Sequence, residues 1–203
     1  MLGDDDFMRL AIEQAERARG DTGDNPWVGC VIVGRGRGVL GQGYTRGPGE
    51  HHAEISAAED AAMRGQSVLG ATLYSTLEPC SFHGRTPACA HAIAKRGLRR
   101  VVVGMRDPHP RVDGLGLRVL RQAGVEVVEG VCEAQVRRQL AEWILTRHAH
   151  AVARYAAALP GAWGHEARLA ALIEHYGLPA HDLEAFARCP NAAPPSELLR
   201  PSR

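Results

Sequence analysis

Short apolar runs rich in β-branched residues alternate with stretches of helical periodicity along most of this 203-residue chain. A continuous apolar run bounded by turn residues is typical of a buried strand. Strands that alternate with helices indicate a sheet covered by helices on both faces. We therefore predict a three-layer α/β/α fold around a mixed, mostly parallel five-stranded sheet. The predicted strands are residues 28–33, 39–44, 71–77, 99–105 and 125–130.

The stretches between these strands have helical spacing of apolar residues, and several of them end at a glycine. Beyond about residue 149 the chain becomes alanine-rich and is interrupted by proline and glycine. We predict two parts, an α/β domain of residues 1–147 and a helical C-terminal extension of residues 148–203 with a disordered end. The predicted helices of the first part are residues 6–19, 53–65, 88–97, 114–124 and 133–148.

The composition argues against several classes of protein. The net charge is +1 and the arginines are spread along the chain, which disfavours a dedicated nucleic-acid surface. No apolar run is long enough to cross a membrane, and the acidic start MLGDDDFMRL lacks the core of a signal peptide. These features predict a cytoplasmic protein. In a reducing compartment, cysteines that lie close together in sequence indicate a metal or catalytic site before a disulfide.

Potential metal ligands lie at the starts of two predicted helices. His52 enters the helix that begins near residue 53, Cys80 follows a strand, and Cys89 opens the next helix. Helices that follow strands in this way begin at the same edge of the sheet, so the three side chains can converge. One imidazole and two thiolates would bind Zn²⁺ and leave the fourth tetrahedral position for water, as in a catalytic site. Glu54, two residues after His52, is placed to hydrogen-bond that water.

Other candidate ligands have simpler interpretations. His51 is an alternative ligand to His52, although a loop position suits it better. Cys30 lies inside a predicted buried strand and is expected to belong to the core. Cys132 and Cys189 have no partner motif around them.

These residues form a pattern that resembles a known family. A His-x-Glu sequence followed by Pro-Cys and a second cysteine is similar to the signature of the zinc-dependent nucleobase deaminases. Eight residues separate the two cysteines here, and this spacing resembles the deaminase domain of the bifunctional riboflavin-pathway enzyme RibD. The resemblance covers roughly residues 6–147. It is carried by NPWVGCVIV (25–33), GQGYTRGPGEHHAE (41–54), TLEPCSFHGRTPAC (76–89) and VVVGMRDPHPRVDGLG (101–116).

The resemblance implies a cytidine-deaminase-like fold and a hydrolytic reaction. Family members remove the 2-amino group of 2,5-diamino-6-ribosylamino-4(3H)-pyrimidinone 5′-phosphate and release ammonia. By this resemblance, His52, Cys80 and Cys89 hold Zn²⁺, which activates a water molecule. Glu54 carries the proton from that water to the ring nitrogen and then to the leaving amine.

The resemblance also implies residues that contact the substrate. Arg85 is suited to bidentate binding of the ribosyl phosphate, although it could instead pair with an acidic neighbour. Asn25 and Asp107 lie where the family contacts its substrate, although Asp107 could be a turn former before Pro108. His83 is either a substrate contact or a solvent-facing loop residue.

Three positions depart from the family pattern. Thr45 and Phe82 replace histidines, and His109 replaces the asparagine of Asp-Pro-Asn-Pro. All three lie near the inferred pocket, so Thr45 and Phe82 are also predicted substrate contacts, and the identity of the pyrimidine stays open. The family's reductase domain and a Gly-rich dinucleotide motif do not appear in the remaining residues, which implies that a separate reductase carries out the reduction or that no reduction occurs.

Three functional hypotheses follow. The first is a deaminase of the riboflavin intermediate or a close relative, including secondary metabolism of the toxoflavin azapteridine type. The second is a tRNA-adenosine or free nucleobase deaminase, against which the eight-residue spacing and the lack of a basic tract argue. The third is a non-catalytic protein that retains the fold, against which the intact His52, Glu54, Cys80 and Cys89 argue. The resemblance further implies a homodimer or homotetramer.

Overall fold

The computed structural model describes residues 2–81, 88–110 and 112–188. Within these residues a five-stranded sheet has the strand order β2-β1-β3-β4-β5. Every predicted strand is confirmed to within one residue at each end. The strands are β1 (Gly29–Val33), β2 (Val39–Tyr44), β3 (Thr72–Leu77), β4 (Arg100–Met105) and β5 (Glu126–Glu129).

The strand directions divide the sheet into two halves. β1 is antiparallel to both β2 and β3, whereas β3, β4 and β5 are parallel to one another. The mixed sheet is therefore confirmed, but its parallel part is limited to β3–β5. The reason is topological: a hairpin joins β1 to β2, and a helical crossover from β2 makes β3 run in the same direction as β2. β1 lies between these two strands and opposes both of them.

Helices cover both faces of the sheet. The first face packs against α1 (Asp4–Glu16), where Phe7, Met8 and Ala11 form a buried cluster with Val31 and other strand residues. The opposite face packs against α2 (Ala53–Met63), whose alanine-rich side lies against β2. This arrangement gives the three predicted layers and places the start of α2 at an edge of the sheet. The remaining helices of the α/β part are α3 (Cys89–Lys95), α4 (Leu115–Gln122) and α5 (Glu133–Gln139).

The predicted helix over residues 133–148 is wrong in one respect, because it is two helices. α5 ends at Gln139 and α6 (Ala141–Arg147) follows. The break falls at Leu140, whose backbone has φ −91° and ψ 5°, outside the α-helical range. No glycine or proline marks this position, so apolar spacing alone could not show the break.

The chain divides into two compact units, Met1–Val136 and Arg137–Arg203. The second unit is helical over its described part, with α7 (Ala149–Ala158), α8 (His165–Tyr176) and α9 (Ala180–Arg188) after α6. Inside it, the Tyr155 ring stacks on His175 with ring centroids 3.8 Å apart, and Arg168 donates to the carbonyl of Ala156 at 2.6 Å. The predicted boundary at residue 147 stays a prediction, and the predicted disordered end lies outside the described residues.

None of the described helices combines the length and the apolar character needed to cross a membrane.

Candidate metal and active site

Three potential metal ligands meet at the edge of the sheet where α2 and α3 begin. His52 is the N-cap residue of α2, Cys89 is the first residue of α3, and Cys80 follows β3. The Nδ1 atom of His52 lies 3.3 Å from Sγ of Cys89 and 3.7 Å from Sγ of Cys80. All three ligand atoms lie within 4.8 Å of one another. The structure thus brings together the three residues that the sequence predicted as a cluster.

Backbone groups of α3 fix the orientation of Cys80. The amide of Cys89 donates to the Cys80 sulfur at 3.3 Å, and the amide of Ala90 donates to the Cys80 carbonyl at 3.1 Å. The first N–H groups of a helix have no partner within the helix, so these bonds satisfy them. They also hold the Cys80 sulfur next to Cys89.

The donor set fits a zinc ion. In a tetrahedral site with Zn–S about 2.3 Å and Zn–N about 2.0 Å, neighbouring ligand atoms lie about 3.5–3.8 Å apart. The two sulfur-to-nitrogen distances of 3.3 Å and 3.7 Å are close to this separation. Two thiols and one imidazole also bind zinc in preference to magnesium or calcium.

The pKa values of Cys80 and Cys89 are shifted in opposite directions. Hydrogen bonds from Cys89 and from His52 to the Cys80 sulfur lower the pKa of Cys80 to about 4. The pKa of Cys89 is raised, because its thiol donates to Cys80 and is buried. The hydrogen bond with Cys80 raises the pKa of His52. The Cys80 thiol is therefore the more easily deprotonated of the two, and the thiolate is the form that binds a metal.

Glu54 lies beside this cluster, in the first turn of α2. Its side chain is buried, with only 5% of the residue exposed. Burial raises the pKa of the Glu54 carboxyl, and the Cys89 thiol forms a hydrogen bond with it. A buried carboxyl next to three potential metal ligands is the arrangement that the His-x-Glu spacing predicted.

The other candidate ligands within the described residues lie outside this cluster. His51 pairs with Glu59, with Nδ1 and Oε2 2.8 Å apart. Cys30 is fully buried in β1, as expected for a core residue. Cys132 is half-buried, and its sulfur donates to the carbonyl of Asp5 at 3.8 Å.

The predicted substrate contacts are only partly within the described residues. Asn25 is half-buried in the segment before β1. Thr45 is buried, and its hydroxyl accepts from the Val28 amide at 3.1 Å. Phe82, His83 and Arg85 lie outside the described residues. The contacts of all five with a substrate stay predictions.

Asp107 lies just beyond the end of β4, the strand that pairs with β3, which leads to Cys80. Burial raises the pKa of its carboxyl to about 7. Its Oδ1 atom accepts from the His109 amide at 2.8 Å, which is the turn-forming bond of an aspartate before proline. Both sequence interpretations of Asp107 therefore remain compatible: it forms the turn, and it places a carboxyl at the edge of the sheet where β3 and β4 end.

Sequence reasoning missed Glu78, a buried carboxylate two residues before Cys80. It is 3% exposed and accepts hydrogen bonds from backbone amides of the segment after β4. The available signal was a charged residue directly after a strand of otherwise buried residues. Such a residue is seldom fully buried unless it is paired.

Comparison with known proteins agrees with the fold and the cluster. The family model for the cytidine and deoxycytidylate deaminase zinc-binding region matches residues 1–105. The chain belongs to the cytidine and deoxycytidylate deaminase family. Within it, the chain is 46% identical over 134 residues to the riboflavin biosynthesis protein RibD of Aquifex aeolicus, covering 66% of this chain and 36% of that protein. It is also 46% identical over 137 residues to RibD of Escherichia coli, covering 68% of this chain and 36% of that protein.

A solved structure shows the same relationship. The diaminohydroxyphosphoribosylaminopyrimidine deaminase/5-amino-6-(5-phosphoribosylamino)uracil reductase of Thermotoga maritima matches with a TM-score of 0.68 and 40% identity. The match covers 72% of this chain and 42% of that protein. The match thus spans less than half the length of these three proteins. The match to RibD proteins is the one that the eight-residue spacing between Cys80 and Cys89 predicted.

Proposed function

We propose that this protein is a zinc-dependent hydrolytic deaminase of a riboflavin-pathway aminopyrimidine. The proposed substrate is 2,5-diamino-6-ribosylamino-4(3H)-pyrimidinone 5′-phosphate or a close relative. The observation that carries the proposal is the cluster of His52, Cys80 and Cys89 with buried Glu54 beside it, in a chain related to RibD proteins.

Each residue of the cluster has a distinct proposed role. His52, Cys80 and Cys89 would hold a zinc ion, which supplies the Lewis acidity that activates water for attack on the amino-bearing ring carbon. Glu54 accepts a proton from the water and passes it to the ring nitrogen adjacent to that carbon. A second proton transfer through Glu54 converts the amino group to ammonia as the carbon–nitrogen bond breaks. One water is consumed and one ammonia is released, so the reaction needs no oxidant or reductant.

Substrate recognition is proposed from the predicted contacts. Asn25 and Asp107 are proposed to bind the pyrimidine, and Arg85 its phosphate. Thr45, Phe82 and His83 are proposed to complete the pocket. The Thr45 hydroxyl is engaged by the Val28 amide, so its proposed contribution is shape rather than a hydrogen bond to the substrate.

The proposal extends to the protein's setting. We propose that a reductase acts on the deaminated product, since the related Thermotoga maritima protein is both a deaminase and a reductase. We propose a cytoplasmic reaction and assembly as a homodimer or homotetramer. The departures at Thr45, Phe82 and His109 leave room for a modified pyrimidine, including one that leads to a toxoflavin-type azapteridine.

Mass spectrometry of the reaction tests the proposal. The substrate is generated from GTP with a cyclohydrolase, and the zinc-loaded protein is added. We expect ammonia and a product about one mass unit heavier, because an amino group is exchanged for a hydroxyl. Glu54→Gln should lower the rate by at least about 100-fold, the range associated with loss of a proton-transfer group. Glu59→Gln, on the exposed side of the same helix, is the matched control and should keep full activity.

The alternatives have their own outcomes in this test. Turnover of only the dephosphorylated pyrimidine would overturn the phosphate part of the proposal. Turnover of tRNA adenosine or a free nucleobase, with none of the pyrimidine, would replace it by the second hypothesis. Equal rates for Glu54→Gln and the unaltered protein would contradict the proposed role of Glu54.

A further inference from the structure

Glu78 is a buried carboxylate whose two oxygens accept from four backbone amides. Oε2 accepts from Gly114 at 2.8 Å and from Asp107 at 3.4 Å. Oε1 accepts from Gly116 at 2.9 Å and from Leu117 at 3.4 Å. Only 3% of the residue is exposed. All four donors lie 29 to 39 residues further along the chain, so the contacts join distant segments.

One oxygen serves as the cap of helix α4. The N-cap residue of α4 is Gly114, which has no side chain to accept from the first amides of the helix. Oε1 of Glu78 takes this role by accepting from the amides of Gly116 and Leu117 in the first turn. A negative charge at this position also interacts favourably with the positive end of the helix dipole.

The other oxygen holds the segment between β4 and α4 at both of its ends. Asp107 lies near the start of this segment and Gly114 at its end, and the amides of both donate to Oε2. Gly114 has φ 87°, a left-handed conformation that glycine adopts without strain. Oε2 of Glu78 therefore contacts the segment near Asp107 and again at the start of α4.

The same residue is tied closely to Cys80. The Glu78 amide donates to the carbonyl of Met105 at 3.0 Å, which extends the pairing of β3 with β4 up to the residues before Cys80. At Gly116, an added Cβ would lie 2.0 Å from the carbonyl oxygen of Pro79, so α4 begins directly against the Pro79–Cys80 peptide. Glu78 and the start of α4 thus link the segment that carries Cys80 with the segment that carries Asp107.

We propose that Glu78 is a positioning residue that sets the place of Asp107 relative to the Cys80 side of the site, and thereby the affinity for the pyrimidine. It acts through Asp107 and does not touch the reacting atoms. This inference rests on the proposed deaminase function, because it assigns Asp107 to substrate binding. Capping of α4 uses only Oε1. Oε2 accepts from the amides of Asp107 and Gly114, and this contact is the one proposed to position Asp107.

Glu78→Gln tests the inference with little change of shape. An amide has one acceptor oxygen, and its NH₂ group cannot accept from the backbone amides that the second carboxylate oxygen binds. We expect kcat/KM for the pyrimidine to fall by about 10-fold, chiefly through a higher KM, as is typical when a residue that supports a site is changed. The zinc content should equal that of the unaltered protein. Asp107→Asn should raise KM as well, and the double variant should be no worse than Asp107→Asn by itself.

A variant at the far end of the sheet separates positioning from general loss of stability. Asp4→Asn removes one carboxylate partner of Arg100 and lies outside the candidate site. Kinetics are measured well below the unfolding temperature of each variant. A KM for Glu78→Gln equal to that of Asp4→Asn or of the unaltered protein would overturn the inference. If the increases in KM caused by Glu78→Gln and Asp107→Asn multiply in the double variant, the inference is overturned too. Such multiplication would show that the two residues act independently.

Hydrogen exchange tests the same inference without activity. In the zinc-loaded protein, the amides of Asp107 and Gly114 should exchange about 10-fold faster in Glu78→Gln than in Asp4→Asn, since a local opening becomes easier. If the unaltered protein does not turn over the pyrimidine, the proposed function fails, and exchange still decides whether Glu78 fixes Asp107. Unchanged exchange at both amides would overturn the inference whatever the substrate is.

Discussion

At the scale of single residues, Cys89 is the centre of the candidate site. Its amide donates to the Cys80 sulfur, its thiol lies 3.3 Å from His52, and it interacts with the Glu54 carboxyl. One residue at the start of α3 therefore contacts every other member of the site. Its removal should therefore disturb the whole cluster.

Cys89→Ser should abolish stable zinc binding, because a serine hydroxyl is a much poorer zinc ligand than a thiolate. We expect about one zinc per chain in the purified unaltered protein and close to none in Cys89→Ser. Elemental analysis together with protein concentration measures this ratio. Cys132→Ser is the matched control, because Cys132 lies outside the cluster. Full zinc content in Cys89→Ser, or an equal loss in Cys132→Ser, would contradict the assignment.

The spacing of His52, Cys80 and Cys89 was enough to predict that they meet. Each is placed by a regular element, the start of α2, the end of β3 or the start of α3, and such elements can be predicted from periodicity. Glu78 could not be predicted in the same way. Its partners are backbone amides far along the chain, and a backbone donor leaves no signal in the side-chain sequence.

At the scale of secondary-structure elements, α2 packs unusually closely on the edge strand β2. An added Cβ at Gly43 would lie 2.4 Å from the Ala57 nitrogen, and one at Gly41 would lie 2.3 Å from the Ala57 carbonyl oxygen. Glycines in the strand and alanines in the helix allow this approach. The approach matters for function because α2 carries His52 and Glu54.

Gly43→Ala should destabilise the protein by about 1–3 kcal/mol, the usual cost of inserting a methyl group into a closely packed interior. Chemical denaturation measures the change in the free energy of unfolding. Gly36→Ala is the matched control: it lies in the β1–β2 turn, where an added Cβ meets no atom within 4 Å. Its effect should stay within about 0.5 kcal/mol. A loss for Gly43→Ala no larger than that of Gly36→Ala would contradict the close packing.

The limits of prediction at this scale are also physical. The apolar runs predicted all five strands of the described sheet, because a buried strand consists mainly of apolar residues. The direction of β1 depends on which strand it joins, and this is settled by the hairpin to β2 and by the crossover through α2. No turn residue lies at the break at Leu140, and the apolar pattern of residues 133–148 continues across it. The break therefore could not be predicted.

At the scale of the whole molecule, a partly buried ion pair joins the start of α1 to the sheet of the first compact unit. Both Nη atoms of Arg100 donate to the two carboxylate oxygens of Asp4 at 2.8 Å. The Tyr74 hydroxyl also donates to Asp4, at 2.9 Å. Arg100 further pairs with Glu126 at 2.9 Å, so residues 4, 74, 100 and 126 form one connected network. Bidentate pairs of this kind are stronger than ordinary surface ion pairs.

This network predicts a pH-dependent share of the stability. The hydrogen bonds from Arg100 hold the pKa of Asp4 below its ordinary value of 3.8. A carboxyl whose pKa is lowered by folding contributes stability that is fully present above the unfolded pKa and is lost as the pH falls through the folded pKa. Asp4→Asn should therefore destabilise the protein by about 1.5–3 kcal/mol at pH 7, the range for hydrogen bonds to charged groups. The difference should shrink as the pH falls below 3.8 and vanish once Asp4 is protonated in the folded protein.

Urea denaturation of both proteins at matched pH values between neutral pH and the acid limit measures this difference. Any loss of zinc at low pH affects both proteins alike and cancels in the comparison. Asp5→Asn is the matched control, because Asp5 is an exposed acid in the same first turn of α1 and shares its interaction with the helix dipole. The bonds from Arg100 and Tyr74 distinguish Asp4 from Asp5, so Asp4→Asn should cost more at pH 7 and the two variants should converge in acid. Equal losses at pH 7, or a difference that persists in acid, would show that the ion pair with Arg100 does not hold the start of α1 to the sheet.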